Sequence, residues 1–221
     1  MTKNSNSTII TNTINFVKKT LANAEGGHDW FHIERVYRNS ILISEGEEVN
    51  TIIVQLAALL HDIADSKFHG GDDTIGPKVA VKFLKTQKIS EEDTIHIIKI
   101  IENVSFKGGN DTKTFHSKEL EVVQDVDRLD AIGAIGIART FNYGGFKNRK
   151  LYDPSVPPQL NMSPSEYKAS TAPTINHFYE KLLLLKDKMH TSTAKEIAQE
   201  RHEFMEQFLE QFYTEWNGMS R

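Results

Sequence analysis

The chain of 221 residues contains no cysteine. Disulfide bonds, thiolate metal sites and cysteine nucleophiles are therefore all excluded. Any transition metal that the protein binds must be held by nitrogen and oxygen ligands, which come chiefly from histidine, aspartate and glutamate. The sequence has 9 histidines and 30 acidic residues from which such a site can be built.

The sequence also lacks a long hydrophobic run and an excess of positive charge. No segment approaches the roughly 18 apolar residues that cross a membrane, and the opening stretch MTKNSNSTIITNTINF is too polar for a secretory signal. We therefore expect a cytoplasmic protein without a membrane partner. The formal net charge of -4 argues against binding to a nucleic-acid polymer, but it leaves room for a local basic pocket that takes a small phosphorylated compound.

Proline is scarce, and the helical spacing of apolar residues dominates the sequence. Only 6 prolines occur, and four of them fall within residues 142–164, a segment predicted to be irregular. No alternating strand pattern bounded by hairpin turns is present. The sequence predicts an all-α protein, a single domain of residues 1–221 with about eight helices. The predicted helices span residues 8–21, 30–45, 50–62, 75–87, 91–105, 117–141, 164–188 and 193–216.

Two segments near predicted helix ends carry metal-ligand residue types. The segment GGHDWFHIERVYRNS places His32 in the first turn of a helix that Asp29 is expected to cap. The segment LAALLHDIAD ends an apolar helix in His61 and Asp62. A buried helix end gains nothing from ionisable groups unless a partner compensates for them, so these residues either lie at the surface or hold an ion.

A third segment, QDVDRLDAIGAIGIARTF, embeds acidic residues in an otherwise apolar helix. Asp127 and Asp130 are three residues apart and share one helical face. Gly133 and Gly136 have no side chain, so another helix can approach this segment closely, and a closely packed acidic helix needs a cation. Two imidazoles and two carboxylates form a ligand set that suits Mn²⁺, Fe²⁺, Co²⁺, Ni²⁺ or Zn²⁺, with Mg²⁺ less comfortable on histidine.

Taken together, the three segments resemble the H…HD…D pattern of the HD superfamily of metal-dependent phosphohydrolases. His32, His61, Asp62 and Asp127 match the four ligand positions of that pattern. The likeness covers nearly the whole chain and includes the segments HDWFHIERV and HFYEKLLLLKDKM. The chain is similar to a compact bacterial subgroup of the superfamily, some members of which are Mn²⁺-dependent nucleoside triphosphate pyrophosphohydrolases.

This resemblance implies a fold, a cofactor and a reaction. We expect a helical HD domain with its metal-binding core at about residues 25–141 and the C-terminal helices 164–216 packed on it. We expect a divalent metal, with Mn²⁺ favoured, and a small phosphorylated substrate. The favoured reaction is the cleavage of a (deoxy)nucleoside triphosphate to a monophosphate and pyrophosphate by metal-activated water. A homodimer is left open.

Residues close to the ligand positions are candidates for catalysis and substrate binding. Asp65 lies where related nucleotidases carry an acid after the His-Asp pair, so we expect it to position water or to move its proton. Lys67 is the first choice for a phosphate contact. Arg35 and Arg128 have the alternative role of orienting the acidic ligands. The expected substrate contacts are Arg128, Arg35, His28, Arg139 and Tyr143, the last by stacking on a base.

Three rival functions stay open. They are a phosphodiesterase or a 5'-nucleotidase on the same site, and a non-catalytic nucleotide or metal sensor. Two metal ions would favour the phosphodiesterase, with His69, His96 and His116 as candidates for the extra ligands, although the apolar stripe beside His96 favours a structural role. The complete ligand set and the acid at Asp65 argue against the sensor.

Overall fold

The structure is a computed structural model that describes residues 3–22, 29–63, 72, 74–104 and 115–218. All regular secondary structure in this part of the chain is helical, as the apolar spacing predicted, but it forms ten α-helices rather than about eight. None of these helices is long and apolar enough to cross a membrane. The helices are α1 Lys3–Thr20, α2 Trp30–Ser44, α3 Thr51–Leu60, α4 Ile75–Thr86, α5 Glu91–Val104, α6 Lys118–Asp130, α7 Gly133–Phe146, α8 Pro164–Ala169, α9 Asn176–Glu180 and α10 Ser192–Trp216.

The chain divides into two compact units. Among the described residues, the first unit contains those up to residue 104 together with 115–127, and the second contains 128–218. The boundary falls within α6, since Asp127 is the last residue of the first unit and Arg128 belongs to the second. The single domain over residues 1–221 stays a prediction.

The first unit is built around α3, an almost wholly apolar helix. Helices α1, α2 and α5 pack against α3, and α4 packs against α5. Because other helices cover α3 on several sides, it is apolar up to its C-terminal end. The polar residues His61 and Asp62 follow in a turn. The buried residues of α3 are Ile53, Val54, Leu56, Ala57, Ala58, Leu59 and Leu60.

The helix predicted over residues 117–141 is broken in the structure. Helix α6 ends at Asp130 and α7 begins at Gly133. Ile132 between them is extended, with φ −125° and ψ 168°, and Gly133 has φ +73°. This left-handed conformation costs a glycine little. The apolar spacing continues through the break, so the sequence pattern did not reveal it.

The irregular segment predicted over residues 142–164 begins later than expected. Helix α7 continues to Phe146, so Tyr143 lies on a helix. The glycines of this segment suggested a helix end, but Gly144 lies buried within α7. The side chain of Thr174 packs so closely against it that an added Cβ would collide with that side chain. The glycine thus serves close packing rather than a turn.

The helix predicted over residues 164–188 is divided. Helix α8 starts with a capping box, in which the Ser163 hydroxyl accepts from the Glu166 N–H (3.3 Å) and the Glu166 carboxylate accepts from the Ser163 N–H (2.7 Å). Helix α8 ends at Ala169, because Ser170 is extended with φ −60° and ψ 133°. Pro173 then disfavours a helical conformation at Ala172. The chain resumes in α9 and in two 3₁₀ turns, Leu182–Leu184 and Lys186–Lys188.

In the second unit, α10 packs against α7. The half-buried Arg201 on α10 donates from Nη1 to the Leu129 carbonyl near the end of α6. Its aliphatic chain passes Gly133, where an added Cβ would lie 2.9 Å from the Arg201 Cγ. Arg201 therefore satisfies a terminal carbonyl of α6, which has no partner within the helix itself.

Candidate metal centre

Three side chains of the first unit converge on one point. They are His32 from the first turn of α2, His61 directly after α3, and Asp127 near the C-terminal end of α6. The Nε2 atoms of the two histidines are 3.3 Å apart. Asp127 Oδ1 lies 3.6 Å from His32 Nε2 and 3.8 Å from His61 Nε2. The structure thus brings together three of the four residues predicted as ligands.

The spacing of these three atoms suits one divalent ion. The point in their plane that is equidistant from the three atoms lies about 2.1 Å from each. Bonds from a metal to imidazole nitrogen or carboxylate oxygen are usually roughly 2.0–2.2 Å long. Two imidazoles and one carboxylate also leave coordination positions open for further ligands. This donor set contains no sulfur and fits the first-row ions named from the sequence.

His32 is held in place by the start of α2. The Asp29 carboxylate caps this helix and accepts the His32 N–H at 3.1 Å, as the sequence predicted. The His32 side chain is 2% exposed. The cap orders the first turn and the burial restricts the ring, so Nε2 is presented to the centre in a fixed direction.

The imidazole of His61 is oriented by its own helix. Its Nδ1–H donates to the Ala58 carbonyl at 2.9 Å, which directs Nε2 towards the centre. Burial by itself lowers the pKa of His61, but the hydrogen bond and charge of Asp127, followed by the charge of Asp62, raise it to about 9. The carboxylates of Asp127 and Asp62 thus favour a positive charge beside His61. Either a proton or a metal ion can supply that charge.

Asp62, the fourth predicted ligand, is not a member of the converging group. It is half-buried in the turn after α3, and its charge acts on His61. Adjacent residues project about 100° apart around a helical turn, so its carboxylate leaves the chain in a different direction from the His61 ring. Among the described residues, His32, His61 and Asp127 form the only group of three or more metal-ligand side chains whose ligand atoms all lie within 4.8 Å of one another. The role of Asp62 stays a prediction.

The histidines considered for a second ion have other partners. His96 Nε2 lies 3.6 Å from the Glu119 carboxylate, and His116 Nε2 lies 2.8 Å from the Glu121 carboxylate. Neither histidine belongs to a group of three metal-ligand side chains in the part of the chain that the structure describes. His69 lies outside that part. The described residues therefore offer one metal centre.

Three predicted substrate contacts lie in the second unit. Arg128 Nη1 donates to the Lys188 carbonyl at 2.6 Å. Arg139 Nη1 donates to the buried carboxylate of Asp130 at 2.7 Å. The Tyr143 side chain is 48% exposed on α7. The two guanidinium groups thus support the local structure, whereas Tyr143 presents a ring to solvent, and substrate binding by all three stays a prediction.

The remaining predicted site residues are Asp65, Lys67, His28 and Arg35. The first three lie outside the described residues. Arg35 is half-buried on α2, three residues after His32. Residues three apart share a helix face, so Arg35 lies on the same side of α2 as His32. This position suits both roles considered for it, a phosphate contact and a partner for the acidic ligands.

Known proteins resemble this chain over nearly its whole length. The family model of the HD domain matches residues 30–132. The protein YpgQ of Bacillus subtilis is 39% identical over 207 residues, 92% of each chain. The crystal structure of an HD-superfamily hydrolase from Bacillus thuringiensis is 45% identical and has a TM-score of 0.77, covering 96% of this chain and 98% of that one. The crystal structure of Bacillus subtilis YpgQ in complex with ADP is 36% identical, with a TM-score of 0.76 and 96% coverage of each chain.

The matched region contains His32, His61 and Asp127, the three side chains that converge in the structure. The sequence pattern, the helical fold and the extent of the similarity therefore agree. The chain belongs to the HD superfamily and is a metal-dependent phosphohydrolase.

Proposed function

We propose that the protein hydrolyses nucleotides, and specifically that it is a Mn²⁺-dependent (deoxy)nucleoside triphosphate pyrophosphohydrolase. The observation that carries this proposal is the triangle of donor atoms from His32, His61 and Asp127 around a single point. The structure of Bacillus subtilis YpgQ in complex with ADP supports a nucleotide as the ligand.

The proposed metal ligands are His32, His61, Asp62 and Asp127. When bound, a divalent ion lowers the pKa of a coordinated water and offsets negative charge on phosphate oxygens. The chain's part is to hold the donor atoms in place. The Ala58 carbonyl fixes the His61 ring, and the Asp29 cap fixes the turn that carries His32.

Asp65 and Lys67 are proposed to act on water and on phosphate. In the proposed reaction, water oxygen bonds to the α-phosphorus, the bond from that phosphorus to the bridging oxygen breaks, and Asp65 accepts the proton of the water. Lys67 binds oxygens of the departing pyrophosphate. Arg35, Arg128, Arg139, His28 and Tyr143 are proposed to contact the rest of the substrate.

The reaction can be identified with purified, metal-stripped protein. Nucleoside triphosphates, deoxynucleoside triphosphates, monophosphates and cyclic nucleotides are each supplied with Mn²⁺, Mg²⁺, Co²⁺ or Zn²⁺. We expect pyrophosphate and a monophosphate from triphosphates, most rapidly with Mn²⁺. Orthophosphate from monophosphates would instead identify a 5'-nucleotidase, opening of cyclic nucleotides a phosphodiesterase, and binding without turnover a sensor.

Lys67→Ala tests the proposed phosphate contact. The variant should raise KM or lower kcat without changing Mn²⁺ affinity, because the lysine is proposed to bind the substrate and not the ion. Kinetics equal to those of the wild type would remove Lys67 from the site.

A further inference from the structure

A cavity of about 410 Å³ opens between α1, α2 and α3 in the first unit, and we call it the α1–α3 pocket. Its volume lies within the range of roughly 300–1,000 Å³ that is usual for small-molecule sites. The pocket is separate from the metal centre, since none of the three converging ligand residues lines it. The lining residues that matter here are Asn6, Ile10 and Ile14 of α1, Tyr37 of α2, and Ile52 and Gln55 of α3.

Helix α1 gives the pocket an apolar surface that the fold covers only in part. Its core side is fully packed, with Ile9 6% exposed and Thr13 and Val17 0% exposed. Ile10 and Ile14, one turn apart on the adjoining side, are half-buried and line the pocket. Ile52 of α3 is half-buried there as well. A ligand that covers these three isoleucines removes apolar surface from water, which favours binding.

Asn6 presents a buried acceptor without a donor. Its Oδ1 is buried and has no hydrogen-bond partner among the residues that the structure describes. Buried polar atoms are nearly always paired, because an unpaired one loses its water without compensation. Asn6 lines the pocket, so an N–H or O–H group of a ligand there can supply the missing donor.

Tyr37 and Gln55 add neutral hydrogen-bonding groups on the α2 and α3 sides of the pocket. Burial raises the pKa of Tyr37 above its ordinary value of 10.0, so its hydroxyl stays protonated and can donate. The Gln55 amide can donate and accept. The pocket thus offers a ligand both donors and acceptors beside an apolar surface.

The described residues that line the pocket carry no charge. A phosphate group would lose water there without gaining a cation, which is costly, so the pocket suits an uncharged ligand. Amide side chains pair well with the edges of nucleobases, which carry neighbouring donors and acceptors. Apolar and aromatic side chains cover the flat face of such a base. Together these properties favour a nucleoside over a nucleotide.

We propose that the α1–α3 pocket binds an uncharged nucleoside. Its base covers Ile10, Ile14 and Ile52 and forms hydrogen bonds with Asn6, Tyr37 and Gln55. The proposal goes beyond the proposed hydrolysis and does not depend on it, because it follows from the shape, the polar atoms and the missing charge of this pocket.

Nuclear magnetic resonance of isoleucine δ1 methyl groups tests the proposal on the full, metal-stripped chain. Adenosine, guanosine, cytidine and uridine are titrated separately to millimolar concentration. At least one of them should shift the methyl signals of Ile10, Ile14 and Ile52. The signal of Ile95, which is 50% exposed on α5 and does not line the pocket, should stay in place. Single Ile→Val variants assign the four signals.

Asn6→Leu tests the buried acceptor. It should weaken the nucleoside by roughly tenfold or more, because the donor of the ligand then loses its partner. Asn15→Leu makes the same change at an exposed position of α1 and should bind as the wild type does. Tyr37→Phe removes only a hydroxyl and should weaken binding by roughly threefold to tenfold. Circular dichroism checks the fold, and Tyr37→Phe decides if Asn6→Leu is not folded.

Two further ligands test the chemical class. Ribose should leave the three methyl signals unchanged, because the base makes the contacts. The monophosphate of the nucleoside that binds should shift them only at higher concentration, because the pocket has no cation for its phosphate.

Three results would overturn the proposal. They are the absence of any nucleoside that shifts the three methyl signals, equal affinities of the wild type and the pocket variants, and equal binding of ribose or of the monophosphate. The titrations need neither metal nor turnover. Their failure would therefore leave the proposed hydrolysis untouched, and failure of the substrate screen would leave the titrations untouched.

Discussion

The Nε2 atoms of His32 and His61 lie 3.3 Å apart, although His32 lies on α2 and His61 directly follows α3. Two N–H groups cannot face each other at this distance, so at least one of the nitrogens offers a lone pair to the space between them. A metal ion that accepts a lone pair from each ring removes the conflict. This explains why two imidazoles are buried side by side next to the carboxylate of Asp127.

Asp127→Asn should weaken Mn²⁺ binding by roughly 100-fold or more, because it removes the only negative charge of the converging group. Isothermal titration of metal-stripped protein measures the affinity. Asp187→Asn makes the same chemical change at an exposed position and should bind Mn²⁺ as the wild type does. Equal affinities for Asp127→Asn and the wild type would contradict the metal centre.

Asp62→Ala should abolish turnover while leaving the helix content intact. Asp62 is the proposed fourth ligand, and it lies in the turn after α3 rather than within a helix. Turnover of the best substrate and far-ultraviolet circular dichroism are the two measurements. Normal turnover would remove Asp62 from the ligand set and leave three protein ligands.

Gly133→Ala should destabilise the protein by roughly 1–3 kcal/mol. Its φ is +73°, and the added methyl group would meet the side chain of Arg201. Gly145→Ala on the same helix is the matched control, because nothing lies within 4 Å of the added methyl. That variant should be neutral or more stable by up to about 1 kcal/mol. Urea unfolding compares the two, and equal stabilities would mean that the break before α7 does not depend on glycine.

His177 should make the folded protein sensitive to acid. Burial, then Lys181, then Arg149 lower its pKa in the folded protein to about 3, below its ordinary value of 6.5, so the unfolded chain binds the proton first as the pH falls. The stability from this group is complete above pH 6.5 and decreases by up to about 1.4 kcal/mol per pH unit towards pH 3.

The Tyr167 hydroxyl is 3.0 Å from His177 Nδ1. His177→Gln retains a hydrogen-bond acceptor for Tyr167 and should lose this part of the pH dependence. Free energies of unfolding in urea, measured for both proteins at neutral pH and at about pH 5, give the comparison. If the free energy of unfolding changes equally with pH in the wild type and in His177→Gln, His177 is not buried in its neutral form.

Apolar spacing predicted the helices of the first unit well, because each of them buries one face or most of its surface in a common core. The start of α2 and the end of α3 followed from Asp29 and from the pair His61 and Asp62, whose polar groups mark where the chain leaves that core. The pattern failed at Gly133 and at Ser170, the extended residue that follows α8. There the backbone conformation ends a helix while the hydrophobic spacing continues.

For the metal centre, residue types and their order predicted which side chains to consider, and the structure brings three of them together. The supporting contacts were not predictable in the same way. The carbonyl of Ala58, which orients the His61 ring, carries no signal in residue type, because every residue has a carbonyl.

The contact from Arg201 to the Leu129 carbonyl has a consequence for protein engineering, since Arg201 lies 72 residues beyond its acceptor and outside the matched region 30–132. A fragment trimmed to that region would leave the last turn of α6 without its external donor, two residues after Asp127. Such a fragment would fray at the turn that carries the carboxylate. A fragment that retains this donor must therefore extend at least to Arg201 on α10.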